Sequence, residues 1–457
     1  MPIRRVVGRA LVLVLGRLVG TGASPAADGW LSGTAVVKIT PEKPLWMAGY
    51  GSRTQPSEGT LHDLYVKALA LKAADGQTAV IVSSDILGFT RGTSEAIGAE
   101  AKKRFGLERS RIMLTSSHTH CGPVLATALL DIYPMNDQQR ADVEEYTPKL
   151  IAKVVDAIGQ ALGRMKPAEL SAGEGETGFA ANRRNNTEAQ VIKLRAEGKP
   201  TVGPSDHSVP VLAVRSPQGG LRAAVFGYAC HNTTLAFQQW CGDYAGFAQL
   251  ELEKRHPGMA AMFYMGCGSD QNPLPRRSLE LCEKYGQMLA AAVDDVLKKP
   301  LRPVKPSLRT AYKLLDLPFD GQLTPEDLKK LSAAKNYEGQ WARRLLDELE
   351  RGKPWAKSYP AYPVQVWKLG EEQLWIVLGG EVVVDYSLRL KQIYGPRTWV
   401  TGYANDVMAY IPSHRIWEEG RYESGAFAVY GLPTRRWIEN IEDRILACVG
   451  QLVKDAR

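Results

Sequence analysis

Arg111-Ile112-Met113-Leu114-Thr115-Ser116-Ser117-His118-Thr119-His120-Cys121-Gly122-Pro123 is an apolar run that ends in two imidazoles. Read as a short buried strand over Arg111 to Ser116, it delivers polar chemistry at its tip. Side chains two apart on a strand point to one side, so His118 and His120 face one pocket. Gly122-Pro123 then stops the strand. The whole chain has only seven histidines, and two stand here.

Working upstream, Gly33 to Ile39, Tyr65 to Ala73 and Ala79 to Ser83 read as strands. Ile97, Ala101 and Phe105 fall four apart, which predicts a helix over Thr93 to Phe105 with Gly106 as its stop. Strand, helix, strand is the signature of an α/β layer. The stretch Pro41 to Gly51 is rich in turn formers and is expected as a surface loop rimming a cleft.

Downstream, Asp137 to Met165 is amphipathic, with a restart expected at Pro148 and a close at Lys166-Pro167. Ala181 to Asn186 is a polar loop. Val209 to Val214 and Arg222 to Tyr228 form a hairpin whose second strand delivers His231. Asp243 caps a helix that ends near His256, and Ala260 to Met265 is a strand running into the glycine turn Gly266 to Pro273. A helix follows over Leu279 to Leu297. Pro300 to Pro306 is the best candidate boundary, and a charged helical insertion is expected at about 324–352. Pro363 to Leu369 and Gln373 to Leu378 are strands that end at Gly379-Gly380-Glu381; Thr398 to Tyr403 is the last core strand and Thr434 to Val453 the closing helix. The expected fold class is α/β, with mixed β-sheets at the centre flanked by helices, in a single catalytic domain over 28–457.

Composition bounds the function. With 457 residues and 44% hydrophobic content the chain is long and apolar enough for a large core. Half of the formal charge of +8 sits on Arg4, Arg5, Arg9 and Arg17, so the body is too weakly basic to argue for nucleic acid. Those arginines flank the apolar Ala10 to Leu15, ahead of the small residues Ser24 to Ala27. Together they read as an export signal over 1–27, which places the mature chain in the periplasm or outside the cell. No segment reaches the length of a transmembrane span. Six cysteines are too few for a disulfide scaffold, although one bridge among Cys121, Cys230, Cys241 and Cys267 is open in an oxidising compartment.

His118, His231 and Glu381 each lie just past the C-terminal end of an expected strand, the edge where open α/β sheets bind ligands. Two histidines and a carboxylate are a usual catalytic zinc set. A lone histidine beside a strand is as readily a satisfied core group, and the strand-end coincidence brings the two readings level. Asp85 and Asp243 either orient the ligand imidazoles or cap turns. His207 is a weaker candidate for the same support, and His62, His256 and His414 are surface residues by context. Ser269 sits in a glycine-rich turn that lacks the G-x-S-x-G elbow.

Several motifs in order resemble the neutral/alkaline non-lysosomal ceramidase family. They are Ala48-Gly49-Tyr50-Gly51, Ser117 to Pro123, Asn182-Arg183, Ala229-Cys230-His231-Asn232-Thr233, Ser269 to Pro273, Gly380-Glu381, Gly402-Tyr403-Ala404-Asn405, Tyr410 and Arg421-Tyr422-Glu423. The resemblance implies a zinc enzyme that hydrolyses the amide of ceramide. It puts the zinc ligands on His118, His231, Glu381 and Tyr410 and the supporting residues on His120, Arg183 and Tyr422. Zinc would activate water, His120 would carry the proton, and Tyr422 would donate to the oxyanion. Where the family has an active-site serine, this chain has Asn272, and the family's C-terminal immunoglobulin-like domain is expected to be missing. The expected substrate is a small molecule or lipid, the latter implying peripheral contact with membrane lipid. Rival readings are a non-catalytic ceramidase-like binding protein and a zinc esterase or amidase acting on a non-lipid substrate.

Overall fold

Short apolar segments, most of them buried along their whole length and broken by glycine and proline turns, give the described residues two large β-sheets and three two-stranded ones. The computed structural model describes residues 1–2, 29–129, 131–321 and 323–456. The export signal expected over 1–27 has its basic and apolar parts outside them. The larger sheet has nine strands: β1 (Trp30–Lys38), β2 (Tyr65–Lys72), β3 (Thr78–Ser84), β4 (Ile112–Ser116), β5 (Lys166–Glu176), β6 (Ser208–Arg215), β7 (Leu221–Tyr228), β8 (Ala260–Met265) and β9 (Arg302–Val304). Its order is β8-β7-β6-β5-β1-β2-β3-β4, with β9 on β5; β3/β4 and β7/β8 are parallel and the other pairs antiparallel. The sheet's two ends are drawn together: Ser83 on β3 donates to the Phe263 carbonyl of β8 at 2.5 Å, and buried Lys67 on β2 to that of Ala261 at 2.8 Å. That curl brings the tip of β4 beside the tip of β7.

The second sheet runs β13 (Trp399–Thr401), β12 (Gln373–Leu378), β11 (Ser358–Leu369), β10 (Leu308–Asp320), β14 (Arg436–Trp437). It packs on the first through a shared apolar layer in which Trp367, Trp375 and Trp399 meet Met262, Tyr264 and Val225. Helices α1 (Arg91–Phe105), α2 (Asp137–Gly163), α3 (Asp243–Arg255) and α4 (Leu279–Leu297) flank the larger sheet. Gly106, left-handed at φ 68°, ends α1 as its sequence position predicts. The α/β class is as expected.

Four expectations need correction. Helix α2 does not restart at Pro148 but runs unbroken for 27 residues, the Thr147 hydroxyl taking up the Val143 carbonyl at 3.0 Å just before the proline. Lys166-Pro167 opens strand β5 as well as closing the helix, and β10 was not anticipated at all. The stretch expected as a surface loop is folded inward, with Leu45, Trp46, Met47 and Ala48 buried. All six cysteines are free thiols, so no bridge joins Cys121, Cys230, Cys241 or Cys267. Among the described residues no helix is long and apolar enough to cross a membrane.

Candidate functional site

Three strand ends and one loop build the site. Strand β4 runs out at Ser116, and the next turn holds His118 at φ 54°, a left-handed conformation that costs a non-glycine residue energy and that marks functional backbone. His231 follows β7, and Glu381 follows β12. Glu381 pairs in parallel register with Tyr410 through the short strands Glu381–Val382 and Tyr410–Ile411. Tyr403, also at positive φ, lays its ring on His118 with centroids 4.3 Å apart.

Backbone carbonyls fix the two imidazoles. His118 Nδ1 donates to the Leu87 carbonyl at 2.7 Å and His231 Nδ1 to that of Gly268 at 3.0 Å, the tautomer in which Nε2 of each ring carries the lone pair. Those Nε2 atoms lie 3.5 and 3.1 Å from Glu381 Oε2. His231 Nε2 and Glu381 Oε2 are nevertheless buried and not aligned to hydrogen-bond with any partner. Lone pairs that converge in a dry place without satisfying one another are what a cation needs, so the residues fit a metal ion. His120 joins the cluster, its Nε2 3.3 Å from that of His118, and the three imidazoles offer nitrogens within 4.8 Å of one another.

Electrostatics agree with that fit. Burial pushes His231 down to about 4, with Arg183 adding to the effect. Burial, then His118 and His231, push His120 well below the usual imidazole range. Burial alone would raise the Glu381 carboxyl, but His118 and His231 outweigh it and hold it well below the carboxylate range. At neutral pH His120 and His231 are therefore neutral imidazoles and Glu381 is a carboxylate.

Around the cluster lies a cleft of about 230 Å³. Arg183 forms one wall: Nε donates to Glu423 Oε1 at 2.8 Å, Nη2 to the Tyr410 hydroxyl at 3.5 Å, and the guanidinium lies 5.4 Å from the centre of the Tyr422 ring. Tyr410 is buried, whereas Tyr422 is 49% exposed at the mouth. Opposing residues include Gly49 and Tyr50, and Gly49 at φ 102° sits so close that a Cβ there would meet His120 Nδ1 at 2.3 Å. The structure thus gathers His118, His120, Arg183, His231, Glu381, Tyr410 and Tyr422 along one cleft. Asn272 is not in its lining; it is buried in a short antiparallel pair with Ala180–Asn182. Neither Asp85 nor Asp243 orients the histidines: Asp85 accepts from Tyr65 N on the neighbouring strand and from Gln249 Nε2, and Asp243 holds the preceding loop by accepting from Thr234 N and Leu235 N. His207 bonds the Ala180 carbonyl.

Sequence reasoning missed Tyr430, whose hydroxyl donates to Glu381 Oε1, and the arginines Arg276 and Arg277 on the cleft wall. Tyr50 lay inside a quoted motif but received no role.

Two solved structures share this fold. The neutral ceramidase from Pseudomonas aeruginosa superposes with a TM-score of 0.72 at 18% identity, over 93% of this chain and 74% of that one. A structure described as ceramidase complexed with C2 gives 0.71 at 17% identity, over 93% and 76%. No curated protein matches by sequence. The family model for the N-terminal part of the neutral/alkaline non-lysosomal ceramidases matches residues 30–267, more than half of the length and including His118, His120, Arg183 and His231. With its strand-end histidines and its cleft, the chain belongs to the neutral/alkaline non-lysosomal ceramidase family.

Proposed function

We propose that the chain is a zinc-dependent hydrolase of the neutral ceramidase type that cleaves a linear N-acyl amide, ceramide or a related N-acyl compound. One observation carries this reading: His118 Nε2, His231 Nε2 and Glu381 Oε2 converge in one buried spot, and two of those atoms lack hydrogen-bond partners. Family membership supports the amide bond as the target. His118, His231 and Glu381 would hold the ion, with Tyr410 completing the set. Zinc, when bound, supplies a water-derived nucleophile at neutral pH and polarises the scissile carbonyl.

The remaining work falls to side chains. His120, neutral at physiological pH and in contact with His118, accepts the proton of the attacking water and returns it to the leaving nitrogen. Tyr422 at the mouth donates to the carbonyl oxygen as negative charge develops. Arg183, tied to Glu423, holds the Tyr410 hydroxyl in place. Asn272, outside the cleft lining, needs no part in the chemistry. Purified protein should hold about one zinc per chain, and His118→Ala or Glu381→Gln should remove both metal and turnover on an N-acyl amide panel. Zinc-free protein that remains active would overturn the proposal.

A further inference from the structure

We propose that the preferred substrate carries an anionic group on its leaving amine, bound by Arg276 and Arg277 on the cleft wall. This rests on the reading of the site as an N-acyl hydrolase and names its substrate class.

The two arginines follow the short strand Gln271–Pro273, and both line the cleft that holds the histidine cluster. Arg277 is held at φ 87°, a strained conformation for an arginine, with its N–H donating to the Thr234 carbonyl at 2.7 Å. Arg276 donates from Nη1 to Thr233 Oγ1 at 3.3 Å. Arg277 donates from Nη1 to the Tyr50 hydroxyl at 2.9 Å and to the Leu235 carbonyl at 3.5 Å. These are neutral acceptors. Among the described residues neither guanidinium forms an ion pair with a carboxylate, whereas Arg183 and Arg184, nearby, are both paired with Glu423.

Among the described residues the one carboxylate in the cleft lining, Glu381, is already engaged with His118, His231 and Tyr430. Burial, then the neighbouring Arg277, pull the Arg276 guanidinium below its ordinary range against the opposing effects of Tyr50 and of Glu188, whose carboxylate accepts from the Arg276 main-chain N–H at 3.0 Å rather than from its guanidinium. Arg276, half-buried, and Arg277, exposed at the cleft rim, form a pair of guanidinium forks without an ion-pair partner that matches a carboxylate, sulfonate or phosphate, which such forks bind in a bidentate way.

Position assigns the anion to the amine half of the substrate. The Arg277 guanidinium lies 4.9 Å from the centre of the Tyr50 ring, which in turn lies 4.6 Å from the His120 ring. The arginines therefore stand on the side of His120, where the leaving nitrogen collects its proton. The acyl half has apolar lining of its own: Leu87 and Leu129 belong both to the cleft and to a small cavity that continues past Pro123 and Leu125. N-acyl amino acids and N-acyl phosphoethanolamines both fit this scheme.

The test compares kcat/KM of the zinc-loaded protein on N-lauroylglycine, N-lauroyl phosphoethanolamine and neutral N-lauroylethanolamine. A charge-assisted hydrogen bond predicts a preference of about 10- to 100-fold for an anionic substrate. Whichever of the carboxylate and phosphate arms is favoured identifies the anion. Arg276→Gln and Arg277→Gln should each lower kcat/KM for the anionic substrate more than for the neutral one, chiefly through KM. Equal or better hydrolysis of the neutral amide overturns the inference and leaves the hydrolase reading standing. Should no amide be cleaved, the hydrolase reading fails, and calorimetric binding of N-lauroylglycine against N-lauroylethanolamine decides the inference separately: tighter binding of the glycine compound that the two substitutions abolish supports anion recognition, and equal affinities refute it.

Discussion

Glu381 is divided between two duties: Oε1 accepts the hydroxyl of Tyr430, and Oε2 is left facing His118 and His231. A carboxylate whose second oxygen is occupied in this way is oriented for a cation, and losing such support typically costs about 10- to 100-fold in metal affinity. Tyr430→Phe should therefore weaken zinc binding by about that factor in a competitive chelator titration, with the fold intact by circular dichroism. The three central ligand candidates were legible in the sequence because each follows an apolar strand directly. Tyr430 was not, since it reaches the cleft from the four-residue helical turn Phe427–Tyr430, whose sequence carries no periodic signal. The groups that orient the imidazoles escaped as well, because they are main-chain carbonyls of Leu87 and Gly268, whereas the residue types pointed only to Asp85 and Asp243 as one of two open readings.

At the scale of elements, the loop Tyr403 to Asp406 couples the two sheets beside the site. Asn405 carries much of this coupling: its Oδ1 accepts from Leu114 N at 3.2 Å and Arg109 at 2.8 Å, and its Nδ2 donates to Gln365 at 3.0 Å. Leu114 belongs to β4 and Gln365 to β11, so one buried amide fastens the histidine strand to the second sheet. Asn405→Ala leaves several buried partners unsatisfied and should cost roughly 2–4 kcal/mol in urea unfolding, at about 1–3 kcal/mol per lost partner with some relaxation. An effect below about 0.5 kcal/mol would mean that the coupling runs elsewhere. Strand β5 shows why some elements could not be read in advance. Its Gly173 and Gly175 break the alternating pattern, yet a Cβ at either would strike Val296 of α4, at 2.8 and 2.7 Å. The glycines are there so that the helix can lie close on the strand, a tertiary demand that leaves no periodic trace.

For the molecule as a whole, the α/β class, seven of the nine strands of the larger sheet and the long helices followed from hydrophobic period, while the sheet curl that unites β4 with β7 did not, because it depends on Ser83 and Lys67 reaching carbonyls 180 and 194 residues away. One charge deep in the joined structure makes its stability depend on pH. Burial raises the Asp406 carboxyl to about 7, against the opposing hydrogen bond from Tyr359. The unfolded carboxyl titrates near 3.9, so the folded state holds this proton more tightly. The resulting stabilisation is fully present below about pH 4 and is lost as pH rises through about 7. Urea midpoints at pH 5 and pH 8 should differ less for Asp406→Asn than for the parent protein; an unchanged difference would show that Asp406 does not titrate in this window.

His118 and His120, two residues apart, divide the labour of the site between holding the metal and carrying the proton. Zinc content and turnover, measured on the same preparations of His118→Ala and His120→Ala, test it most directly. His118→Ala should lose the metal and with it all turnover. His120→Ala should retain about one zinc per chain and lose about 10²- to 10⁴-fold in kcat, the contribution of a positioned proton carrier. A His120→Ala protein that binds no zinc, or that binds it and turns over at the parent rate, would contradict the assignment.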